Sequence, residues 1–251
     1  MAIRDEVKEQ QHKLKGKSFQ EKIGYFWDYY KIHTMAVLFL LLVAGIFISD
    51  MKNSKDNAFS AIILNSYGYD MQEDFQTDFA AYAGIDTESY NCLIDASSTL
   101  SLTSMTQLDL ALTQRIAALV QTNGLDSFVS DPAVFGHYAE GMMFRDLREE
   151  LSQEEYTKYE PYFYYIDAAV LAEKEGTEED FSAGTQPENA ANPTKPSAMT
   201  DPVPVGIFLE HSPKLEEWKC YAAEKETPVF GFVSSSENGN LNHLFLQYLT
   251  D

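Results

Sequence analysis

Small hydroxyl, aromatic and carboxylate side chains follow three segments that are predicted to be buried strands, residues 59–65, 90–95 and 125–130. At the carboxyl ends of parallel strands, such side chains and the free backbone amides of helix starts can bind a polar or aromatic solute. The same residue types are typical of ordinary turns and helix caps, and this second interpretation stays open. The candidate ligand-binding residues are Tyr67, Tyr69, Ser97, Ser98, Ser130 and Asp131.

Other reactive residue types form no catalytic pattern. The sequence has no Gly-x-Ser-x-Gly, His-Glu-x-x-His or paired Cys-x-x-Cys motif, and no phosphate-binding glycine run. His137, His211 and His243 are isolated in sequence, and an enzyme would need one of them to converge with carboxylates in space. We therefore predict that the protein is not an enzyme and that it uses no cofactor and no metal.

Cys92 and Cys220 are the two cysteines of the chain. An oxidising compartment would permit a disulfide between them. Both lie in segments with the pattern of regular structure, so two buried free thiols are equally consistent with the sequence.

The elements that would position the candidate residues alternate between strands and helices. This alternation predicts an α/β domain with an open, mostly parallel sheet and flanking helices. Besides the three segments above, strands are predicted at 162–171, 205–209 and 229–233. Helices are predicted at 70–83, 103–121, 131–141 and 240–249, with a further one beginning at Ser212 and Pro213.

An uncharged apolar stretch, residues 32–49, precedes this domain. Its core of seventeen residues would span about 25 Å as a helix, which is close to the thickness of a bilayer's hydrocarbon region. Seven basic residues precede the stretch and two follow it closely, which predicts a cytoplasmic N-terminus and an extracellular C-terminal domain. A buried soluble helix and a cleaved signal peptide are the alternatives. The long basic region and the lack of an Ala-x-Ala site favour an uncleaved anchor in the cell membrane.

The segments around the predicted span differ in character. Residues 1–17 are predicted to be a mobile cytoplasmic tail, residues 18–31 an interfacial amphipathic helix, and residues 50–57 a tether to the domain at 58–251. The interfacial helix could also dock a cytoplasmic protein. Its predicted membrane-interface residues are Tyr25, Phe26, Trp27, Tyr29 and Tyr30.

Charge divides the chain unevenly. Residues 56–251 carry nine basic and thirty-three acidic side chains, a net charge of −24, within a chain whose total is −21. Such a domain repels nucleic acid, which is therefore excluded as a partner. Residues 173–204 are rich in proline and acidic residues and poor in large apolar ones, and we predict a disordered excursion there.

The stretch 124–131, with Phe135, Tyr138, Gly141 and the segment 144–147 after it, resembles extracytoplasmic solute-binding proteins of the type II periplasmic class. The aromatic segment 26–30 before the apolar stretch is similar to that of uncharacterised single-pass proteins of Gram-positive bacteria. The resemblance covers residues 59–172 and 203–249 and implies the fold of one solute-binding lobe. It departs from the class between the fourth strand and Val205, where a second lobe would need several strands and helices.

These observations together predict a single-pass, membrane-anchored extracytoplasmic binding or interaction module, an accessory to a transporter or envelope complex. The alternative is a tethered solute-binding receptor that delivers a small molecule to a permease. The expected partners are membrane lipid at the anchor, a membrane protein, and a small-molecule solute.

Overall fold

The computed structural model describes residues 18–53, 55–174, 192–210, 212–221 and 227–251. The chain divides into two compact units, Met1–Ser54 and Lys55–Asp251. The predicted mobile tail, residues 1–17, lies outside the described residues.

The N-terminal unit contains one long helix, α1 (Phe19–Asn53), of 35 residues. Its window Lys31–Ser49 has a mean hydropathy of 2.4, and none of it is buried. Among the residues that the structure describes, α1 is the one helix that is long and apolar enough to cross a membrane, a property that signal sequences share.

The structure places the boundaries of this helix differently from the sequence pattern. The segments predicted to be an interfacial helix, 18–31, and a membrane span, 32–49, belong to one uninterrupted helix that begins at Phe19 and contains no proline. The helix also continues through most of the predicted tether 50–57, and the first strand begins at Asp56.

The second unit is a mixed α/β domain around an open six-stranded sheet. The order across the sheet is β2-β1-β3-β6-β5-β4. β1 pairs in parallel with β2 and β3, whereas the β3–β6, β6–β5 and β5–β4 pairs are antiparallel. The predicted mostly parallel sheet is thus correct for one half and wrong for the other. The strands are β1 (Asp56–Ile63), β2 (Tyr90–Asp95), β3 (Ser127–Ser130), β4 (Phe163–Asp167), β5 (Pro202–Phe208) and β6 (Val229–Phe232).

Helices cover both faces of the sheet. Phe75 and Phe79 of the first domain helix pack with Phe59 in one core, and Ile116 of the next helix packs with Ile62 in the other. Alternate residues of β1 therefore point to opposite cores, as the pleat of a strand requires. The helices are α2 (Gln72–Ala83), α3 (Gln107–Gln121), α4 (Pro132–Glu140), α5 (Leu147–Glu150), α6 (Gln153–Tyr159), α7 (Ala168–Lys174), α8 (Pro213–Glu217) and α9 (Gly239–Thr250).

For two elements, the structure places one end at a different residue from the prediction. The strand predicted at 162–171 is the five-residue β4 followed by α7, because the Asp167 carboxylate accepts the Ala169 N–H and the following residues are good helix formers. The helix predicted from residue 103 begins at Gln107, since Thr106 forms a capping box with Asp109.

Part of the predicted disordered excursion, residues 173–204, has a defined structure. Residues 192–201 lie along β4, where the Tyr165 N–H donates to the Pro193 carbonyl over 2.9 Å, and β5 begins at Pro202. The central residues 175–191 lie outside the described part of the chain.

Candidate functional site

The parallel half of the sheet has a topological switch point between β1 and β3. The helix α2, which follows β1, packs on one face of the sheet and α4, which follows β3, packs on the other, so the chain leaves the neighbouring carboxyl ends of β1 and β3 in opposite directions. Ligands of open α/β sheets bind in this kind of crevice. Residues 65–69, 96–100 and 130–131 meet at this end of the sheet.

Asn65 joins the three loops. Its Nδ2 donates to the Asp131 carboxylate over 2.7 Å and to the Leu100 carbonyl over 3.1 Å. Its Oδ1 accepts the Leu100 N–H at 2.8 Å, and its own N–H donates to the Ser98 carbonyl. The residue has a φ of 56°, a left-handed conformation that asparagine tolerates better than most residues.

Asp131 and Ser130 serve the start of α4. Asp131 is the N-cap, and its Oδ1 accepts the Val134 N–H at 3.1 Å. Ser130 is fully buried, and its hydroxyl donates to the Asp131 carbonyl over 3.1 Å. The Ser130 hydroxyl and the Asp131 carboxylate thus both have hydrogen-bond partners within the protein, as expected of residues with a structural role.

Ser97 and Ser98 surround the Asp95 carboxylate at the end of β2. Both hydroxyls donate to it, over 2.9 and 2.8 Å, and Arg115 of α3 forms an ion pair with it at 2.8 Å. Burial acts to raise the pKa of Asp95, but the hydrogen bonds from Ser98, Ser97 and Arg115 outweigh it and lower the pKa below its usual value. The group stays a carboxylate at neutral pH.

Tyr67 is one of the candidates that are open to solvent, with 51% of its surface exposed. Its backbone N–H donates to the Cys220 carbonyl over 2.8 Å, which ties the turn after β1 to the segment after α8. Next to it, the Tyr221 hydroxyl donates to the Leu64 carbonyl over 2.5 Å, and burial raises the pKa of Tyr221. Tyr69 lies in the same turn, with its side chain outside the described part of the structure.

Both cysteines are free and buried. Burial raises the pKa of Cys92 to about 12 and that of Cys220 to about 11, so neither is a reactive thiolate at neutral pH. Of the two alternatives that the sequence left open, the structure shows the unbridged one.

His243 meets two carboxylates, which the sequence did not predict. Its Nδ1 lies 2.9 Å from Glu155 Oε1 and its Nε2 lies 3.4 Å from Glu150 Oε1. Arg145 pairs with Glu150 at 2.8 Å, and the Ser152 hydroxyl donates to Glu155. Both ring nitrogens face internal partners and the serine contacts a carboxylate rather than the imidazole, so this is the geometry of a clamp between α9 and α5–α6. A nucleophile activated by histidine would require the serine at the ring instead.

The remaining histidines do not join this cluster. His137 lies on α4 beside the Tyr138 ring, and burial lowers its pKa. His211 lies outside the described residues. Within the described ranges, no group of three or more His, Cys, Asp or Glu side chains could hold a metal ion.

The predicted membrane-interface residues all belong to α1. The Trp27 side chain is exposed. The side chains of Tyr25, Phe26, Tyr29 and Tyr30 fall outside the described part of the structure.

Sequence reasoning thus found the loops that meet at the switch point but missed Asn65, Asp95 and Tyr221, which hold them together. One signal was present for Asn65, since an asparagine directly before a Ser-Tyr-Gly turn is a common left-handed position. No local pattern marks Tyr221 as a partner of Leu64, because 157 residues separate them in sequence.

Comparisons with known protein families, with curated proteins and with solved structures find no match to this chain. The fold and the site therefore define its class by themselves: an α/β domain with a mixed, six-stranded open sheet, preceded by one long apolar helix.

Proposed function

We propose that this protein is a single-pass, membrane-anchored extracytoplasmic binding or interaction module, an accessory to a transporter or envelope complex. The observation that carries the proposal is the helix window Lys31–Ser49, which is strongly apolar and has no buried residue. Apolar surface of that extent needs a hydrocarbon environment. The excess of basic residues before it favours a cytoplasmic N-terminus and an extracellular acidic domain.

The carboxyl end of the parallel half supports a protein partner more than a small solute. Five side chains there form hydrogen bonds with one another or with nearby backbone groups: Asn65, Asp95, Ser98, Ser130 and Asp131. A solute that used these groups would first have to break those bonds, each with a net value of about 0.5–1.5 kcal/mol. The exposed surface around them remains available to a macromolecule.

Topology is tested by cysteine labelling in intact cells. Cys92 and Cys220 are buried, so a membrane-impermeant maleimide should react only with a newly introduced thiol. We expect Asn240→Cys to be labelled in intact cells and Ser18→Cys only after the membrane is permeabilised. The reverse pattern, or a shortened chain released into the medium, would contradict a retained anchor.

Retention of the protein in the membrane is tested by substitutions within α1. The double variant Leu40→Arg, Leu41→Arg adds two charges near the middle of the apolar window, each costing about 2.5–3.5 kcal/mol in membrane insertion. We expect the variant to leave the membrane fraction, whereas the matched Leu40→Ile, Leu41→Ile variant stays in it. Equal fractionation of both would remove the main support for the proposal.

Partner binding is tested with photo-crosslinking residues at exposed positions of the domain. Tyr67 and Leu108 are suitable because both side chains are well exposed. We expect a discrete adduct with one membrane protein at one of these sites. Only diffuse adducts, equal in intensity to those from an exposed control position such as Gln114, would contradict an interaction module.

A tethered solute receptor that delivers a small molecule to a permease is the second candidate. It is favoured by the switch point between β1 and β3, with Tyr67 half-exposed beside it. This function predicts a rise in melting temperature with an amino acid, sugar or peptide, since a ligand at 100 times its dissociation constant stabilises the fold by about 2.7 kcal/mol. Tyr67→Ala should abolish the rise. No shift with any of the three classes would exclude this candidate.

A further inference from the structure

Each edge strand of the sheet, β2 and β4, has outer backbone groups that bond to other parts of the domain. An uncovered edge strand presents unpaired N–H and C=O groups to which another chain can add a strand. β2 carries this hazard in particular, because the Leu93 side chain is 41% exposed and that of Tyr90 is exposed as well. Apolar side chains beside open backbone groups favour self-association.

Two glutamine side chains of α2 cover the edge of β2. The Gln76 Nε2 donates to the Ile94 carbonyl over 3.0 Å, and the Gln72 Oε1 accepts the Ala96 N–H at 3.1 Å. The two glutamines are one helical turn apart, which places them on the same face of α2. A carboxamide carries the same donor and acceptor as a peptide group, so the pair occupies two backbone positions, at the carboxyl end of β2, that an added strand would use.

Residues 192–201 cover the opposite edge. The Tyr165 N–H of β4 donates to the Pro193 carbonyl over 2.9 Å. The Asp167 carboxylate accepts the Thr200 and Asp201 N–H groups at 2.8 and 3.0 Å and holds the segment in place. Pro193 and Pro196 have no N–H, so this segment cannot itself continue a regular ladder of hydrogen bonds.

We propose that strand addition is blocked at both edges of the sheet, by Gln72 and Gln76 at the carboxyl end of β2 and by residues 192–201 at β4. The domain then does not pair with a second copy through its sheet. The inference depends on the domain alone and stands whether or not the protein is anchored in a membrane.

The test uses the full chain and a readout confined to the β2 edge. Leu93→Cys places a thiol beside that edge, and two copies that pair along β2 bring two such thiols together. In this background, oxidation should yield little crosslinked dimer with the native glutamines. The further change Gln72→Leu, Gln76→Leu removes both caps at nearly constant side-chain size, and we expect about a tenfold or larger increase in crosslinked dimer.

Gln114→Leu is the control, since Gln114 is exposed on α3 and the change makes the same type of replacement away from the edge. It should leave crosslinking at the background level. Crosslinking at the background level in a folded Gln72→Leu, Gln76→Leu variant, or strong crosslinking with the native glutamines, would overturn the proposal.

A second pair of variants decides the matter if the double variant does not fold. Gln72→Glu keeps an acceptor for the Ala96 N–H, whereas Gln76→Glu places an acceptor against the Ile94 carbonyl and loses that cap. We expect more crosslinking with Gln76→Glu than with Gln72→Glu. Equal crosslinking in the two would overturn the proposal.

Discussion

The loops of the parallel half of the sheet and the strands of the antiparallel half are held by different contacts. In the parallel half, β2-β1-β3, polar side chains at the strand ends bond to one another, with Asn65 and Asp95 at the centres of two networks. In the antiparallel half, β6-β5-β4, aromatic rings lie directly on the strands. Hydrogen bonds thus fix the loops after β1 and β2, whereas close packing of rings fixes the positions of β5 and β6.

Two glycines show how close the packing of the antiparallel half is. A Cβ atom at Gly206 of β5 would lie 2.5 Å from the Phe135 ring, and one at Gly231 of β6 would lie 2.6 Å from the Phe144 ring. The two rings stack with centroids 4.2 Å apart and an interplanar angle of 1°. Only glycine, which has no Cβ atom, leaves room for these two rings against the backbone of β5 and β6.

The largest expected effect is that of Phe135→Ala. The side chain is fully buried, and its removal leaves a cavity over both glycines, so we expect a loss of about 3–5 kcal/mol in the free energy of unfolding. Urea denaturation of the full chain in detergent measures it. Met142→Ala, at an exposed position, is the control and should change stability by less than about 0.5 kcal/mol. A similar loss in both would contradict ring packing as the main contribution.

A smaller effect is expected at Asn65 in the parallel half. Asn65→Ala removes three side-chain hydrogen bonds and leaves the left-handed backbone to a residue that disfavours it, so we expect a loss of about 1–3 kcal/mol. Asn65→Gly removes the same bonds but accepts the backbone conformation, and it should be the more stable of the two variants. The opposite order would show that the left-handed conformation is not retained.

The smallest effect is expected at Asp109, in the capping box of the α3 crossover. The Thr106 hydroxyl, followed by the Ser101 and Thr106 N–H groups, lowers the pKa of Asp109 from its ordinary 3.8 to about 2. A lowered pKa contributes stability above the ordinary value, and the contribution disappears as the pH falls toward about 2. Asp109→Asn should therefore be less stable than the native chain at pH 7, and the gap should close between pH 4 and about 2. A gap that does not vary with pH would contradict the ionic cap.

Local patterns predicted the elements but not all their limits. Apolar runs in the sequence predicted the positions of all six strands, and the Asp131-Pro132 pair correctly predicted the start of α4. The helix α7 was missed because the aromatic run before it has a high strand propensity that masks the short helical stretch. Residues 192–201 were expected to be disordered because composition does not record the hydrogen bonds to Tyr165 and Asp167.

Local patterns were enough to predict the apolar helix, the acidic domain and the alternation of strands and helices, because hydropathy and periodicity are properties of neighbouring residues. Only the tertiary structure decided that half of the sheet is antiparallel, since strand pairing depends on contacts between distant segments such as β3 and β6. It also decided that Asn65 joins three loops and that Gln72 and Gln76 cover β2. These roles arise from groups that the fold brings within hydrogen-bonding distance, and no local pattern encodes that distance.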